Sequence, residues 1–479
     1  MNIPLIPLPQ KIKYINGESV INQNAGYNFS LNPDIPESGY NLIISNNTVL
    51  IEYGDEQGRF YAQKTLDQIK AINGGKCSNH EIKDWPLMKH RGFMIDCARH
   101  FFTVEELKVL IDFAAGIKLN VFHWHLTDDQ GWRIPIKSHP LLCEIGSKRK
   151  TSNFGSFDEK SEYCYCYTEK EIKDIIDYCK ERFIEVIPEI DMPGHTSSIL
   201  AAYPNLGCRD EKYEVKTKEG IFETVLCLGN PDTKPFIQDI LDEICDLFPG
   251  KYIHIGGDET PRTRWKECPK CREKIKEYNT DDIEKLQSFF MQEIAEYLKE
   301  NGKTAIAWNE SLKGDILKPG QIIIQHWLDS KKTGFDFANK GGTIINSDFY
   351  HYYLDYPYGM TPVKKTYNYR PLSKIKNPDS LLGIEANLWT EYIQDFSGIC
   401  QKLFPRICAA AETAWTAPAN KNYKDFVARH EELRCYFESK GISIIPLNQW
   451  QMPPIQRLAD ILKFFKGSIS SFVFPDKNN

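Results

Sequence analysis

Long apolar runs are missing from this 479-residue chain: no stretch approaches the ~18 consecutive apolar residues of a membrane-crossing helix. A secretory leader is missing too, because Met1-Asn-Ile-Pro-Leu-Ile-Pro-Leu-Pro9 has no cationic segment and too many prolines, so a leaderless, cytoplasmic protein is expected. Dense basic runs are equally absent. With 59 Lys+Arg against 65 Asp+Glu, a net charge of −6, the chain offers no footprint for nucleic acid or an anionic membrane, and the expected partner is small or neutral. At 41% hydrophobic and 26% charged residues, disordered and collagen-like classes are excluded. The 14 cysteines show no disulfide-framework spacing; Cys97, Cys179, Cys227 and Cys245 fall in expected strands and helices and read as buried free thiols of a reducing compartment. Cys268-Pro-Lys-Cys271 is half of a zinc-ribbon spacing with no second CxxC, so it reads as two thiols in a loop.

Against these absences stands a repeating α/β pattern. Residues 1–86 read as a small α/β domain, with a hairpin signal in Asn41-Leu-Ile-Ile-Ser, an Asn46-Asn47 turn and Thr48-Val-Leu-Ile-Glu-Tyr, then a helix from Gly58. From His90 onward short apolar strands alternate with amphipathic helices. The strands are expected at 91–97, 119–126, 184–190, 251–255, 304–308, 321–327, 343–347 and 381–388. Eight strands in βα alternation predict a (β/α)8 TIM barrel over 87–420. Thr103-Val-Glu-Glu106 and Thr168-Glu-Lys-Glu171 are capping boxes that open two of its helices. Residues 421–479 form a C-terminal helical extension without an assigned role.

Arg99, His123, His125, Asp191, His195, Asp258, Glu259, Trp308, Trp327, Asp355, Trp389 and Glu391 all fall at or just beyond a strand end, where a TIM barrel builds its active site. Long insertions at 127–167, 192–231 and 350–380 belong to the same face. The sharpest signal is His254-Ile-Gly-Gly-Asp258-Glu259. Adjacent strand residues face opposite ways, so two neighbouring acids reach one pocket only where the strand ends, and Gly256 and Gly257 permit that turn. Two carboxyls in one pocket oppose each other's ionisation, which suits a general acid beside an anion. The pair also reads as an ordinary helix start, Asp-Glu-Thr-Pro. Trp308, Trp327, Trp389, Tyr353 and Trp132 supply flat faces suited to sugar C–H surfaces, and Arg99 and Glu391 a charged donor and acceptor for hydroxyl groups.

The blocks Arg91-Gly-Phe-Met-Ile-Asp-Cys-Ala-Arg-His-Phe, His123-Trp-His-Leu-Thr-Asp-Asp-Gln-Gly-Trp-Arg, Glu189-Ile-Asp-Met-Pro-Gly-His and His254-Ile-Gly-Gly-Asp-Glu resemble the glycoside hydrolase family 20 β-N-acetylhexosaminidases. So do Trp308-Asn-Glu, Gln325-His-Trp, Tyr353-Leu-Asp and Leu388-Trp-Thr-Glu, in the family's order, and the first 86 residues are similar to the small domain that precedes the family's barrel. The resemblance implies a retaining, substrate-assisted exo-hydrolase acting on terminal β-linked GlcNAc, or also GalNAc. It implies Glu259 as general acid/base, Asp258 as the partner of the substrate's acetamido N–H, and Tyr353 as donor to its carbonyl. Trp308, Trp327 and Trp389 would wall the acetamido pocket, Arg99 and Glu391 would bind ring hydroxyls, Asp355 would lie beside the leaving group, and Asp191 and His195 would tune Glu259. No cofactor and no metal are expected, because side chains and substrate fill every role. The partner would be an N-acetylhexosamine-containing oligosaccharide or glycoconjugate. Three alternatives stay open: a lacto-N-biosidase of the same family, a metal-dependent hydrolase using His123 and His125, and a non-catalytic glycan-binding barrel.

Overall fold

The computed structural model describes residues 3–22, 25–328 and 333–472. Its centre is a closed ring of eight parallel strands: His90–Asp96, Val121–His125, Glu185–Glu189, Tyr252–His254, Thr304–Trp308, Ile323–His326, Thr343–Asn346 and Leu381–Leu388. All eight expected strands form, in chain order round the barrel, with ends that move by no more than two residues. Strands covered on both faces need apolar side chains on both; accordingly every residue of His90–Asp96 and of Val121–His125 is buried. Helices such as Val104–Gly116 and Glu169–Lys180 pack outside them. Both open with a full capping box, on Thr103 and on Thr168, and the second buries Ile172, Ile175, Ile176 and Cys179 as one stripe.

Inside the barrel, side chains two residues apart on a strand point the same way, so each strand writes a column from floor to mouth. The floor is apolar, a small cluster of Val121, Ile187, Ile306, Ile323 and Ile345. Two residues further along lie His123, Glu189, Trp308 and Gln325, where aliphatic side chains usually fill the space. Glu189 and Glu385 are both almost fully buried and are held by imidazoles: His123 Nδ1 lies 2.7 Å from Glu385 Oε1, His123 Nε2 3.0 Å from Glu189 Oε2, and His90 Nε2 2.9 Å from Glu385 Oε2. Trp308 Nε1 and Gln325 Nε2 donate to Glu189 and Glu385 at 2.8 and 2.7 Å. Burial opposes the charge on Glu385, but His123 and His90 hold it well below the usual carboxylate range. This charged layer carries the mouth of the barrel.

The N-terminal residues form a five-stranded sheet whose order is Lys11–Val20, Lys76–Asp84, Tyr40–Ser45, Thr48–Tyr53, Gly26–Leu31, with helix Glu56–Ala71 on one face. Its central hairpin turns at Asn46 and Asn47, whose φ of 53° and 57° match the right-handed twist of the strands. The sheet is pinned to the barrel by Asp84, which accepts from Trp415 Nε1 at 2.8 Å and from Lys118 Nζ at 2.7 Å, all three buried. After the barrel, helix Tyr423–Glu438 packs Phe426, Leu433 and Phe437 inward. A further helix, Pro454–Phe472, reaches the rim of the barrel mouth: Asp460 Oδ2 accepts the Gly359 N–H at 2.9 Å, and the Phe464 ring lies 5.5 Å from those of Tyr356 and Tyr392. Among the described residues no helix is long and apolar enough to cross a membrane.

Two cysteine readings change. Cys143 and Cys166 are joined as a disulfide, although nothing in their 23-residue separation distinguishes them from the other thiols. Cys268 and Cys271 are not two thiols in a loop: they cap and open the helix Pro269–Glu277, and Cys208 and Cys227, from the loop after the third strand, meet them. Spacing along the chain could not show this, since the two halves come from separate βα loops.

Candidate active site

The fourth strand ends at His254, and the next residues turn through φ values of 64° at Gly256, 96° at Gly257 and 41° at Glu259. No helix starts at the acid pair; the next one is Thr263–Glu267, which removes the helix-start reading. Gly256 is required because a Cβ there would lie 1.7 Å from Asp191 Oδ1. Asp191 in turn accepts the Gly257 N–H at 3.1 Å, and Gln287 Nε2 donates to the Gly257 carbonyl at 2.6 Å. The backbone carrying the pair is therefore held from both sides.

His195 lies between the two acids and the next layer of carboxylates. Its Nδ1 is 3.1 Å from Asp128 Oδ1 and 3.2 Å from Asp129 Oδ2, while Nε2 is 3.8 Å from Asp258 Oδ2 and 3.7 Å from Glu259 Oε2. Burial works against a charged imidazole, yet Asp128 and Asp258 outweigh it and raise His195 well above its ordinary value. Asp258 is 8% exposed, and its carboxyl is pushed up to about 6, first by burial and then, against the opposing pull of His195, by the Glu189 and Glu259 charges. The Glu259 side chain is 33% exposed and is also raised by burial, with Glu310 and Glu391 adding to the shift and His195 and Arg99 opposing it. One cation thus faces two neighbouring carboxyls in a pocket that disfavours charging both.

Aromatic rings gather at the same mouth, and one of them, Tyr353, feels the Asp258 charge. Trp327 stacks on Tyr353 at 5.6 Å and 20°, Tyr353 lies 6.3 Å from Trp389, and Trp389 lies 6.0 Å from Trp308. Trp308 is fully buried and forms the floor; Trp327 and Trp389 are partly exposed walls. The Tyr353 phenol is raised by burial and then by Asp258, so it stays a neutral O–H donor. Trp132 is not part of the box: it is fully buried in the main core and its Nε1 donates to the Ile134 carbonyl at 2.5 Å.

On the other side of the mouth, Arg99 Nη2 is 2.8 Å from Asp128 Oδ2 and 3.8 Å from Glu391 Oε1, and its guanidinium lies 5.0 Å from the Trp389 ring. Asp355 has its carboxyl pushed up to about 7 by burial and by the Glu391 charge, and its Oδ1 has no hydrogen-bond partner. Arg99, Asp355 and Glu391 therefore gather at one edge; the Arg99 nitrogens are engaged by Gln130, Asp96 and Asp128, and the Asp355 Oδ1 is left to receive a hydroxyl group.

His123 lies inside the second strand and His125 ends it, 4.9 Å from the Trp389 ring, and the ring nitrogens of both face carboxylates. His125 Nδ1 pairs with Glu189 and its Nε2 lies 2.8 Å from Asp128 Oδ2; His123 is raised to about 9 because Glu385 and Glu189 outweigh its burial.

Three residues of the site were missed. Glu310 accepts from Trp327 Nε1 at 2.8 Å and is pushed up to about 7 by burial and by Asp258. Its position two residues past Trp308 at a strand end was an available signal. Asp128 and Asp129 form a second adjacent acid pair past a strand end, the same feature that singled out Asp258 and Glu259.

A family model described as "Glycosyl hydrolase family 20, catalytic domain" matches residues 88–418. A β-hexosaminidase of Porphyromonas gingivalis is 36% identical over 439 residues, which is 86% of this chain but 55% of that protein, so the chain spans about half the length of that relative. A β-hexosaminidase of Akkermansia muciniphila is 32% identical over 412 residues, 82% of each chain. Among solved structures, the exo-β-N-acetylglucosaminidase of Vibrio harveyi in complex with N-acetylglucosamine superposes with a TM-score of 0.83 at 29% identity, covering 93% of this chain and 78% of that one. A β-N-acetylhexosaminidase structure superposes with a TM-score of 0.86 at 27% identity, covering 94% and 98%.

Proposed function

Because the chain belongs to glycosyl hydrolase family 20, we propose that it is a retaining exo-β-N-acetylhexosaminidase that removes a terminal β-linked GlcNAc or GalNAc with help from the sugar's own acetamido group. The observation that carries this reading is the aromatic box of Trp308, Trp327, Tyr353 and Trp389, whose Tyr353 phenol is within reach of the Asp258 charge. Such a box fits a small planar group with an apolar methyl, a polar N–H and a polar carbonyl. The acetamido group is that shape.

In the proposed reaction the acetamido carbonyl oxygen attacks C1 while the C1–O glycosidic bond breaks, and Glu259 gives its proton to the departing oxygen. Asp258 accepts the acetamido N–H and faces the positive charge of the resulting oxazolinium, and the Tyr353 O–H donates to the carbonyl oxygen. Preorganised charge of this kind acts where charge develops and favours the transition state over the bound substrate. The Glu259 carboxylate then takes a proton from water as its oxygen attacks C1 and reopens the ring, leaving the anomeric configuration unchanged. His195 supplies a fixed cation beside both acids, Arg99 and Glu391 bind ring hydroxyls, and Asp355 lies toward the leaving group. Asp191 holds the turn that carries the pair.

Paired nitrophenyl glycosides test the reading. The β-GlcNAc substrate should be hydrolysed with retention, the β-glucoside lacking the acetamido group hardly at all, and stepwise fluorination of the N-acetyl methyl should lower kcat steeply. A flat fluorination series, or trapping of a 2-deoxy-2-fluoro sugar on Asp258, would give the nucleophile's role to the protein.

A further inference from the structure

Four cysteines that no step above uses meet beside the active-site loops. Cys208 and Cys227 come from the loop after the third strand, which also carries His195; Cys268 and Cys271 follow the fourth strand, nine and twelve residues past Glu259. Their sulfurs all lie within 4.8 Å of one another, with three of the six separations at 3.6, 3.7 and 3.9 Å. A disulfide requires sulfurs ~2.0 Å apart. A tetrahedron of thiolates at the usual Zn–S length of ~2.3 Å has edges of ~3.8 Å. The three separations of 3.6, 3.7 and 3.9 Å match the edges of that tetrahedron.

The surroundings fit the charge such a site would hold. Cys268 is the N-cap of helix Pro269–Glu277 and Cys271 lies in its first turn, so both sulfurs sit at the positive end of the helix dipole. The Gly229 N–H points at the sulfurs of Cys227 and Cys271. That approach needs glycine, because a Cβ at Gly229 would lie 2.2 Å from the Lys270 carbonyl carbon. Cys227, Cys268 and Cys271 are buried and Cys208 is partly so, which leaves no open position for water or substrate.

We propose that Cys208, Cys227, Cys268 and Cys271 bind one Zn²⁺ as a closed structural site that clamps the loop after the third strand to the segment following the acid pair. All-thiolate tetrahedral donors favour zinc among common divalent ions. Binding releases the remaining thiol protons to solvent and changes no oxidation state. The clamp joins two loops that already touch through Leu226, whose N–H donates to the Pro193 carbonyl at 3.0 Å and whose own carbonyl accepts from Trp265 Nε1 at 2.9 Å. This zinc is outside the reaction and leaves the proposed substrate-assisted chemistry unchanged.

The test is elemental analysis and native mass spectrometry of the full chain purified without chelator. One zinc per chain is expected, and it should be absent from the C268S/C271S variant. Should that variant fail to fold, Co²⁺ exchanged into the unaltered chain decides: tetrahedral thiolate coordination gives intense visible ligand-field bands, and residues 192–231 and 260–277 should gain hydrogen-exchange protection on metal binding. A metal-free chain overturns the proposal, whether it titrates under denaturing conditions with all twelve of the free thiols or with only eight, 12 − 4, as two disulfides would leave. One iron per chain, or zinc retained by the variant, overturns it equally.

Discussion

Gly256→Ala probes the turn that delivers both acids. Gly256 has φ 64°, where an L-residue costs ~1–2 kcal/mol. The added Cβ would lie 1.7 Å from Asp191 Oδ1 and 2.8 Å from Asp191 Cα. That is far inside the ~3.5 Å of a relaxed contact, so the carboxylate or the chain must move. Asp191 is 1% exposed and its Oδ1 accepts the Gly257 N–H, a buried bond whose loss leaves a donor unsatisfied at a cost of ~1–3 kcal/mol. Together these give ~2–5 kcal/mol, against a total stability on the order of 5–15 kcal/mol. At ~2 °C per kcal/mol for a domain of this size, the melting temperature should fall by roughly 4–10 °C. A shift of ~1 Å in the acid pair should also lower kcat by ~10²-fold. Thermal unfolding by circular dichroism and nitrophenyl β-GlcNAc hydrolysis read the two effects. If the collision with the carboxylate dominates, Gly256→Ala and Asp191→Ala combined should cost less than their sum by ~1–3 kcal/mol. An alanine variant that loses less than ~1 kcal/mol in both readouts would refute the reasoning.

Three further predictions concern the site itself. Glu259→Gln should lower kcat by ~10²–10⁴-fold for basic leaving groups and much less for activated aryl ones; equal losses across a leaving-group series would contradict its role as acid. With Asp258 pushed up to about 6 by burial, its carboxyl is neutral below that value, so kcat/KM should fall as the pH drops through about 6. Asp258→Asn should abolish that limb in the residual activity, and an unchanged profile would mean that another group sets it. Trp389→Ala removes a wall that stands over Arg99 and between Trp308 and Tyr353, and should weaken binding of the intact substrate by ~2 kcal/mol or more; an unchanged KM and kcat would place it outside the sugar pocket.

The legible parts of this molecule are those whose physics is local. Barrel strands buried on both faces appear as short apolar runs, and Thr103 and Thr168 announce their helices because a capping box closes within four residues. Strand ends collect the polar residues, so Asp258, Glu259, Trp327, Trp389, Arg99 and Glu391 could be assembled from position alone. What failed was orientation and long-range meeting. Trp132 lies just past the second strand but turns into the core, and nothing in the residue type distinguishes it from Trp327. His123 and His125 share a strand face as expected, but that face looks onto Glu189 and Glu385, more than sixty and two hundred and fifty residues away in sequence. The same distance hid the meeting of Cys208 and Cys227 with Cys268 and Cys271.

In the proposed reaction, the division of labour between the two adjacent acids follows from what each one faces. Leaving the same strand end, Asp258 and Glu259 both lie just under 4 Å from His195 Nε2, so the histidine alone cannot assign one as anion and the other as acid. The difference is in their other neighbours. Asp258 is the more buried and its charge acts on the Tyr353 phenol of the aromatic box, where a cationic group bound against it would gain the most from low polarisability and exclusion of water. Glu259 is one-third exposed and feels Arg99 and Glu391, the side on which, in the proposed reaction, the leaving oxygen would depart and water would arrive. A proton on Glu259 and a charge on Asp258 is then the arrangement that a substrate developing positive charge in the aromatic box would select, because its charge stabilises the Asp258 carboxylate and leaves the shared proton to the other acid. Binding of the sugar would thus complete the acid–anion pair, and the low stability of the doubly charged empty site becomes part of how the site is set for the reaction.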